Sequence, residues 1–150
     1  MTDADSILHR FGPPHVARQI LVLDGDESVA ASVRKLMTPF SCRIDSTRDS
    51  SEASAMIDNA MIDNASRYRR YDVIIADLRQ SLESGSALLP LLESRGSRLP
   101  IVSTWAIGFD PAPWIAKARH VGLRAFLCKP IGAEQLLNAI SQVIDDSQGP

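Results

Sequence analysis

The chain has 150 residues, which is typical of one folded domain with a single hydrophobic core. Hydrophobic residues make up 45% and charged residues 23%, and no apolar run approaches the roughly 20 residues that a membrane-spanning helix needs. The formal net charge of -2 argues against a broad basic surface for nucleic acid, and the short cluster Arg67, Arg69 and Arg70 predicts a solvated loop.

The two ends of the chain are polar. Residues 1–18 contain Gly12, Pro13 and Pro14 and predict a flexible leader, while residues 147–150 predict a disordered tail. The start has no continuous apolar segment of the kind found in signal peptides, so we expect a cytoplasmic protein that does not contact a membrane. The folded domain is then expected over residues 19–146.

From residue 19 onward, short apolar runs alternate with amphipathic stretches. Each run predicts a strand, and apolar residues at helical spacing follow it, such as Val29 and Val33 after the first run and Leu136 and Ile140 after the last. The predicted strands cover residues 20–24, 42–46, 72–77, 100–105 and 124–128.

Five strand and helix pairs make a (βα)5 chain. The second strand alternates apolar and polar residues, and the others are mostly apolar. Strands buried on both faces and separated by helices predict an α/β fold with a five-stranded parallel sheet and right-handed crossovers. The expected architecture is a doubly wound three-layer sandwich, whose site lies at the carboxyl ends of the strands.

The segment AMIDN occurs twice in succession, at 55–59 and at 60–64. Five residues advance a helix by about 140° beyond one full turn, so the two copies cannot both face the sheet in one straight helix. We expect the second helix either to overrun the sheet or to break near Asn64.

Charged residues stand at the carboxyl ends of three predicted strands. Asp24 and Asp26 follow the first strand, Asp77 follows the third and Lys129 follows the fifth. Any one acid at such a position is often only a cap or a turn former. Together, however, clustered carboxylates can hold Mg²⁺, a lysine can offset the charge of a phosphoryl group, and an aspartate can form an aspartyl-phosphate.

Three segments, ILVLDGDES, YDVIIADLRQSLESG and VGLRAFLCKPI, resemble the motifs of the response regulator receiver domain family of two-component signalling. The resemblance covers residues 19 to about 146 and implies the flavodoxin-like sheet order. It implies that Asp77 accepts the phosphoryl group and that Lys129 contacts the phosphoryl oxygens, with a cis bond between Lys129 and Pro130.

The same resemblance implies the remaining site residues. Asp24, Asp77 and the backbone carbonyl of Arg79 would hold Mg²⁺. The backbone amides of Arg79 and Ala106 would bind the phosphoryl oxygens together with Lys129, and catalysis would consist of positioning and charge neutralisation.

The chain departs from the family pattern after the first strand. Gly25 stands where a second acid is usual, so Mg²⁺ affinity should be weak, with Asp26 as an alternative ligand.

Further departures fall at the switch positions and after the phosphoacceptor. Trp105 replaces the usual Thr or Ser, and Thr104 should point to the opposite face. Phe126 takes the aromatic switch position, as a core residue or as a switch. Gln80 and Ser81 replace a frequent Met-Pro and should alter loop rigidity rather than chemistry.

The leading hypothesis is therefore a receiver domain that takes a phosphoryl group from a histidine kinase or a phosphotransfer protein. It would signal to a downstream protein through the face formed by the fourth helix, the fifth strand and the fifth helix. Its only reactions would be its own Mg²⁺-assisted phosphorylation and dephosphorylation, and it would bind no nucleic acid directly.

Two alternatives stay open beside it. One is a degenerate receiver that acts as a phosphorylation-independent interaction module, which Gly25 and Trp105 favour. The other is an unrelated flavodoxin-like domain, although LDGDES contains neither of the glycine-rich phosphate-binding patterns. Homodimerisation is compatible with either receiver hypothesis.

Overall fold

The structure, a computed structural model, describes residues 18–62 and 71–147. Its strands form one parallel sheet in the order β2-β1-β3-β4-β5, which confirms the predicted flavodoxin-like topology. The strands are β1 (Arg18–Leu23), β2 (Cys42–Thr47), β3 (Val73–Asp77), β4 (Ile101–Trp105) and β5 (Ala125–Cys128).

Helices connect the strands, and the third crossover contains two of them where the sequence predicted one. The fourth and fifth predicted helices are therefore α5 and α6. Two short 3₁₀ helices, Thr38–Phe40 and Gly96–Arg98, complete the described structure. The helices are α1 (Glu27–Met37), α2 (Ser50–Ile62), α3 (Leu78–Leu82), α4 (Leu89–Arg95), α5 (Ala112–His120) and α6 (Ala133–Ser147).

The sheet separates two hydrophobic cores because successive residues of each buried strand point to opposite faces. On one face, Ile20, Val22 and Ile75 pack against α1 and α6. On the other face, Leu21 and Ile74 pack against α2, α3, α4 and α5. This arrangement is the predicted three-layer sandwich.

The element bounds are close to the predicted ones. Strand β1 begins at Arg18 and α6 continues to Ser147, one residue beyond each predicted limit of the domain. The rest of the expected leader and tail lies outside the described residues, as does the expected helix break near Asn64. Among the described residues, no helix combines the length and the apolar character needed to cross a membrane.

Candidate functional site

The carboxyl edge of the sheet brings together Asp24, Asp77 and Lys129. Strands β1 and β3 are neighbours, and the register of Leu23 with Ala76 places Asp24 beside Asp77. The ammonium of Lys129 lies 2.5 Å from Oδ2 of Asp24 and 3.3 Å from Oδ2 of Asp77. The structure thus assembles three of the predicted site residues into one cluster.

Backbone pairing delivers Lys129 to this edge. The amide of Lys129 donates to the carbonyl of Trp105 at 2.9 Å, which extends the pairing of β4 and β5 by one residue. The bond between Lys129 and Pro130 is cis, as the family resemblance implied.

The cluster is largely removed from solvent. The side chain of Asp24 is 6% exposed, that of Lys129 17% and that of Asp77 20%. Burial by itself lowers the pKa of Lys129, but the hydrogen bond and charge of Asp24, together with Asp77, outweigh it and raise the pKa above its usual value. Lys129 is therefore a cation at neutral pH, bonded to two carboxylates.

The other oxygen of each carboxylate accepts a backbone amide. Asp24 Oδ1 accepts from the amide of Asp26 at 2.8 Å, and Asp77 Oδ1 accepts from the amide of Gln80 at 2.9 Å. Both carboxylates are thus held by one lysine bond and one backbone bond each.

Asp26 does not join the cluster. Its side chain caps α1 by accepting from the amide of Ser28 at 2.9 Å, and this hydrogen bond lowers the pKa of Asp26. The residue that the sequence offered as an alternative metal ligand is an exposed helix cap.

The arrangement offers a divalent cation only two carboxylates, those of Asp24 and Asp77. Over residues 18–62 and 71–147, no group of three or more acidic, histidine or cysteine side chains is placed to hold a metal ion. The carbonyl of Arg79, the predicted backbone ligand, accepts from the amide of Glu83 at 2.9 Å. The Lys129 ammonium lies between the carboxylates that would bind the metal, so Mg²⁺ binding stays a prediction.

The Arg79 carbonyl accepts from the Glu83 amide because Arg79 lies in helix α3. The helix begins directly after Asp77, whose side chain is its N-cap. A proline at position 81 would disfavour the helical conformation of residue 80 and would remove an amide that the helix uses. Because Gln80 and Ser81 replace the Met-Pro of the family, the helix can form, so this substitution changes the site more than the sequence indicated.

Gly25 leaves open space at the position of the missing acid. A Cβ atom built on Gly25 meets no heavy atom within 4 Å, and its backbone is not in the left-handed region. The backbone therefore does not require glycine, and an acidic side chain would fit there.

Trp105 and Thr104 point to opposite faces, as the sequence predicted. Trp105 is half-buried and packs against the core beside α2–α5. Thr104 is fully buried and lies in register with Asp77 on the face of α1 and α6. Its hydroxyl has no hydrogen-bond partner among the described residues.

Phe126, the predicted aromatic switch, is half-buried in the same core as Trp105. The guanidinium of Arg119, on α5, lies 5.8 Å from the centre of its ring, within the range of a cation–π interaction. Ala106, a predicted phosphoryl-binding residue, lies exposed just after β4.

Sequence reasoning did not identify Arg48. Its Nε donates to the carbonyl of Gly25 at 3.2 Å, and its own carbonyl accepts from the side chain of Gln80 at 2.6 Å. Arg48 thereby ties the loops after β1 and β2 to helix α3. No sequence motif marks it, because its contacts depend on α3.

A doubly wound α/β domain with two aspartates and a lysine at the carboxyl edge defines the receiver class of signalling domain. The response regulator receiver domain family matches residues 20–141. The chain belongs to this family.

Solved structures of receiver domains share the fold. A receiver domain protein from Clostridium thermocellum is 20% identical, with a TM-score of 0.65 over 85% of this chain and 94% of that one. The receiver domain of a putative Luxo repressor from Vibrio parahaemolyticus is 17% identical, with a TM-score of 0.67 over 88% and 93%.

Longer proteins contain a domain of the same fold. Full-length FixJ from B. japonicum is 21% identical, with a TM-score of 0.63 over 87% of this chain, and the match covers 59% of FixJ. The match to NtrX from Brucella abortus covers only 27% of that protein. No curated protein matches the chain.

Proposed function

We propose that the chain is a receiver domain in which Asp77 accepts a phosphoryl group from a histidine kinase or a phosphotransfer protein. The observation that carries the proposal is the contact of Lys129 with Asp77 at the carboxyl edge of the sheet. The Asp77 side chain is 20% exposed, so a donor can reach it from solvent.

The reaction needs little covalent chemistry from the protein. An oxygen of the Asp77 carboxylate attacks the phosphorus of a phosphohistidine and forms an O–P bond. The P–N bond breaks with its electron pair on the imidazole, which takes a proton from solvent. The charge of Lys129 offsets the charge of the incoming phosphoryl group, and the amides of Arg79 and Ala106 are proposed as further donors to it.

Mg²⁺ assistance is proposed to be weak in this chain, since Gly25 supplies no ligand and Lys129 already neutralises part of the carboxylate charge. Apart from its own phosphorylation and dephosphorylation, the domain is proposed to catalyse no reaction.

The proposed output is a contact with a downstream protein through the surface of α5, β5 and α6. Helix α5 supports this choice because Ala118 is its one buried residue, so most of the helix faces solvent. We expect the domain to act in the cytoplasm without binding nucleic acid or membrane, either alone or as a homodimer.

A second candidate function is a phosphorylation-independent interaction module. Gly25, Trp105 and the bonding of both carboxylates to Lys129 favour it. The same fold and the same output surface would then bind a partner in a fixed conformation.

One experiment separates the two candidates. The protein is incubated with acetyl phosphate, with and without Mg²⁺, and its intact mass is measured before and after hydroxylamine treatment. A receiver gives a hydroxylamine-labile phosphoryl adduct that Asp77→Asn abolishes. Asp58→Asn, which alters an acid bonded to Arg95 on α4, should retain the adduct. A wild-type protein without any adduct would favour the interaction module.

A further inference from the structure

Helix α3 joins the phosphoacceptor to α5 through a hydrogen bond at each of its ends. At its start, the amide of Gln80 donates to Oδ1 of Asp77 at 2.9 Å. At its end, the ammonium of Lys117, on α5, donates to the carbonyl of Leu82 at 2.7 Å. A continuous chain of bonds therefore leads from Asp77 to α5.

The helix itself is held as one unit. Leu78 and Leu82 lie one turn apart on the same side, and both are fully buried in the core. The hydroxyl of Ser81 donates to the carbonyl of Asp77 at 2.6 Å. A displacement at one end of such a short, packed helix is expected to reach the other end.

Besides the bond from Lys117, α5 is held by a few partly buried side chains and by the contact of Arg119 with the ring of Phe126. Ala118 is its one buried residue, whereas Trp114 and Ile115 are half-buried. An element with so little buried apolar surface opens at low free energy. The bond from Lys117 therefore adds to these contacts in fixing α5 against the rest of the domain.

We propose that a change in the charge of Asp77 alters, through α3, how firmly α5 is held. Lys117 is the positioning residue that completes this link. The inference rests on the proposed function, because phosphorylation is the event that would change this charge. An ionised carboxylate is a stronger hydrogen-bond acceptor than the neutral carbonyl oxygen that remains after an O–P bond forms. Phosphorylation thus weakens the cap on Gln80 and loosens α3 and α5 together.

This route does not need a hydroxyl at position 105. Trp105 is packed into the core and carries no hydroxyl, so a movement of the usual Thr or Ser toward the phosphoryl group is absent from this chain. The chain from Asp77 through α3 to Lys117 supplies another connection between the site and the proposed output surface.

The test is a double-mutant cycle read by hydrogen exchange of the α5 amides, without any phosphodonor. Asp77→Asn replaces the anionic cap by a neutral oxygen, and Lys117→Met removes the donor at the other end. Each single variant should raise α5 exchange on the order of fivefold, as expected when a charge-assisted bond is weakened or lost. The double variant should exchange no faster than Lys117→Met alone.

Two further variants test whether the response of α5 depends on the Lys117 bond or on a general loss of stability. Lys117→Arg retains a cationic donor and should restore the response of α5 to Asp77→Asn. Lys35→Met alters a lysine of α1, on the opposite face of the sheet, and should leave that response unchanged. Unchanged exchange in β1 and β3 identifies the variants that keep the fold, and if Lys117→Met loses it, Lys117→Ala takes its place in the cycle.

The proposal is overturned if Asp77→Asn leaves α5 exchange unaltered, or if its effect is the same with and without Lys117. The proposed function is judged separately by the mass of the phosphoryl adduct. An absent adduct would remove phosphorylation as the input, while the cycle would still decide whether Asp77 and α5 are coupled.

Discussion

At the residue scale, Thr104 carries a buried hydroxyl without a partner among the described residues. Valine has nearly the same shape and no polar atom, so Thr104→Val should raise the free energy of unfolding by about 1 kcal/mol. Thr47→Val is a matched control: Thr47 Oγ1 accepts from the amide of Asp49 at 3.1 Å, and its loss should lower the same quantity by about 1 kcal/mol. Denaturant unfolding of the three proteins measures both effects. Destabilisation by Thr104→Val would mean that the hydroxyl does have a partner.

Tyr71 predicts a pH dependence. Its hydroxyl donates to Asp45 at 2.8 Å, and burial, followed by this bond, raises the pKa of Tyr71 above its ordinary value of 10.0. The resulting stability is fully present below pH 10.0 and is lost as the pH rises through the higher pKa of the folded state. Tyr71→Phe should lower the free energy of unfolding by about 1 kcal/mol at neutral pH.

The variant should also lose less stability than the wild type between about pH 7 and about pH 11, because its unfolded state has no phenol at position 71 that could release a proton. Denaturant unfolding at the two pH values gives the comparison. An equally steep alkaline loss in the two proteins would show that Tyr71 does not contribute to it.

Gly25 leads to a prediction about Mg²⁺. An acid fits at this position because a Cβ atom there meets no heavy atom within 4 Å. Gly25→Asp would add a third carboxylate beside Asp24 and Asp77, so Mg²⁺ affinity should rise about tenfold or more above that of the wild type. The midpoint of thermal unfolding as a function of Mg²⁺ concentration measures this without any phosphodonor. Gly25→Asn is the control of equal size, and an equal rise with Asn would rule out the added charge as the cause.

At the element scale, α5 and α6 differ in how they are anchored, although both flank β5. Leu136 and Ile140 of α6 are fully buried, whereas α5 has only Ala118. Amide protection depends on the free energy of local opening, which rises with buried apolar contacts. Hydrogen exchange of the wild-type protein should therefore be faster in α5 than in the central turns of α6. Equal protection of the two helices would contradict the view that α5 is the less firmly anchored of the two.

At the scale of the whole molecule, the sequence predicts the sheet because its apolar runs and helical spacings repeat five times. The meeting of Asp24, Asp77 and Lys129 follows from that repeat, since the carboxyl ends of parallel strands share one edge. These features depend on local periodicity, which is visible without a structure.

Helix α3 and its contacts could not be predicted in the same way. The helix exists because Asp77 caps it and position 81 is not proline. Lys117 reaches it from α5, which follows α4 and β4 in the chain. Nor does any sequence pattern indicate that Lys129 bonds to both carboxylates. Such contacts depend on side-chain geometry between distant segments.

The central claim is that Asp77 is the phosphoacceptor, and chemical localisation of the phosphoryl group tests it most directly. Borohydride reduces an acyl phosphate to an alcohol, so a phosphorylated aspartate becomes homoserine, which peptide mass spectrometry assigns to one position. After treatment with acetyl phosphate and borohydride, we expect homoserine at position 77 and at no other aspartate. An unmodified Asp77, or homoserine at Asp24 or Asp26 instead, would contradict the account.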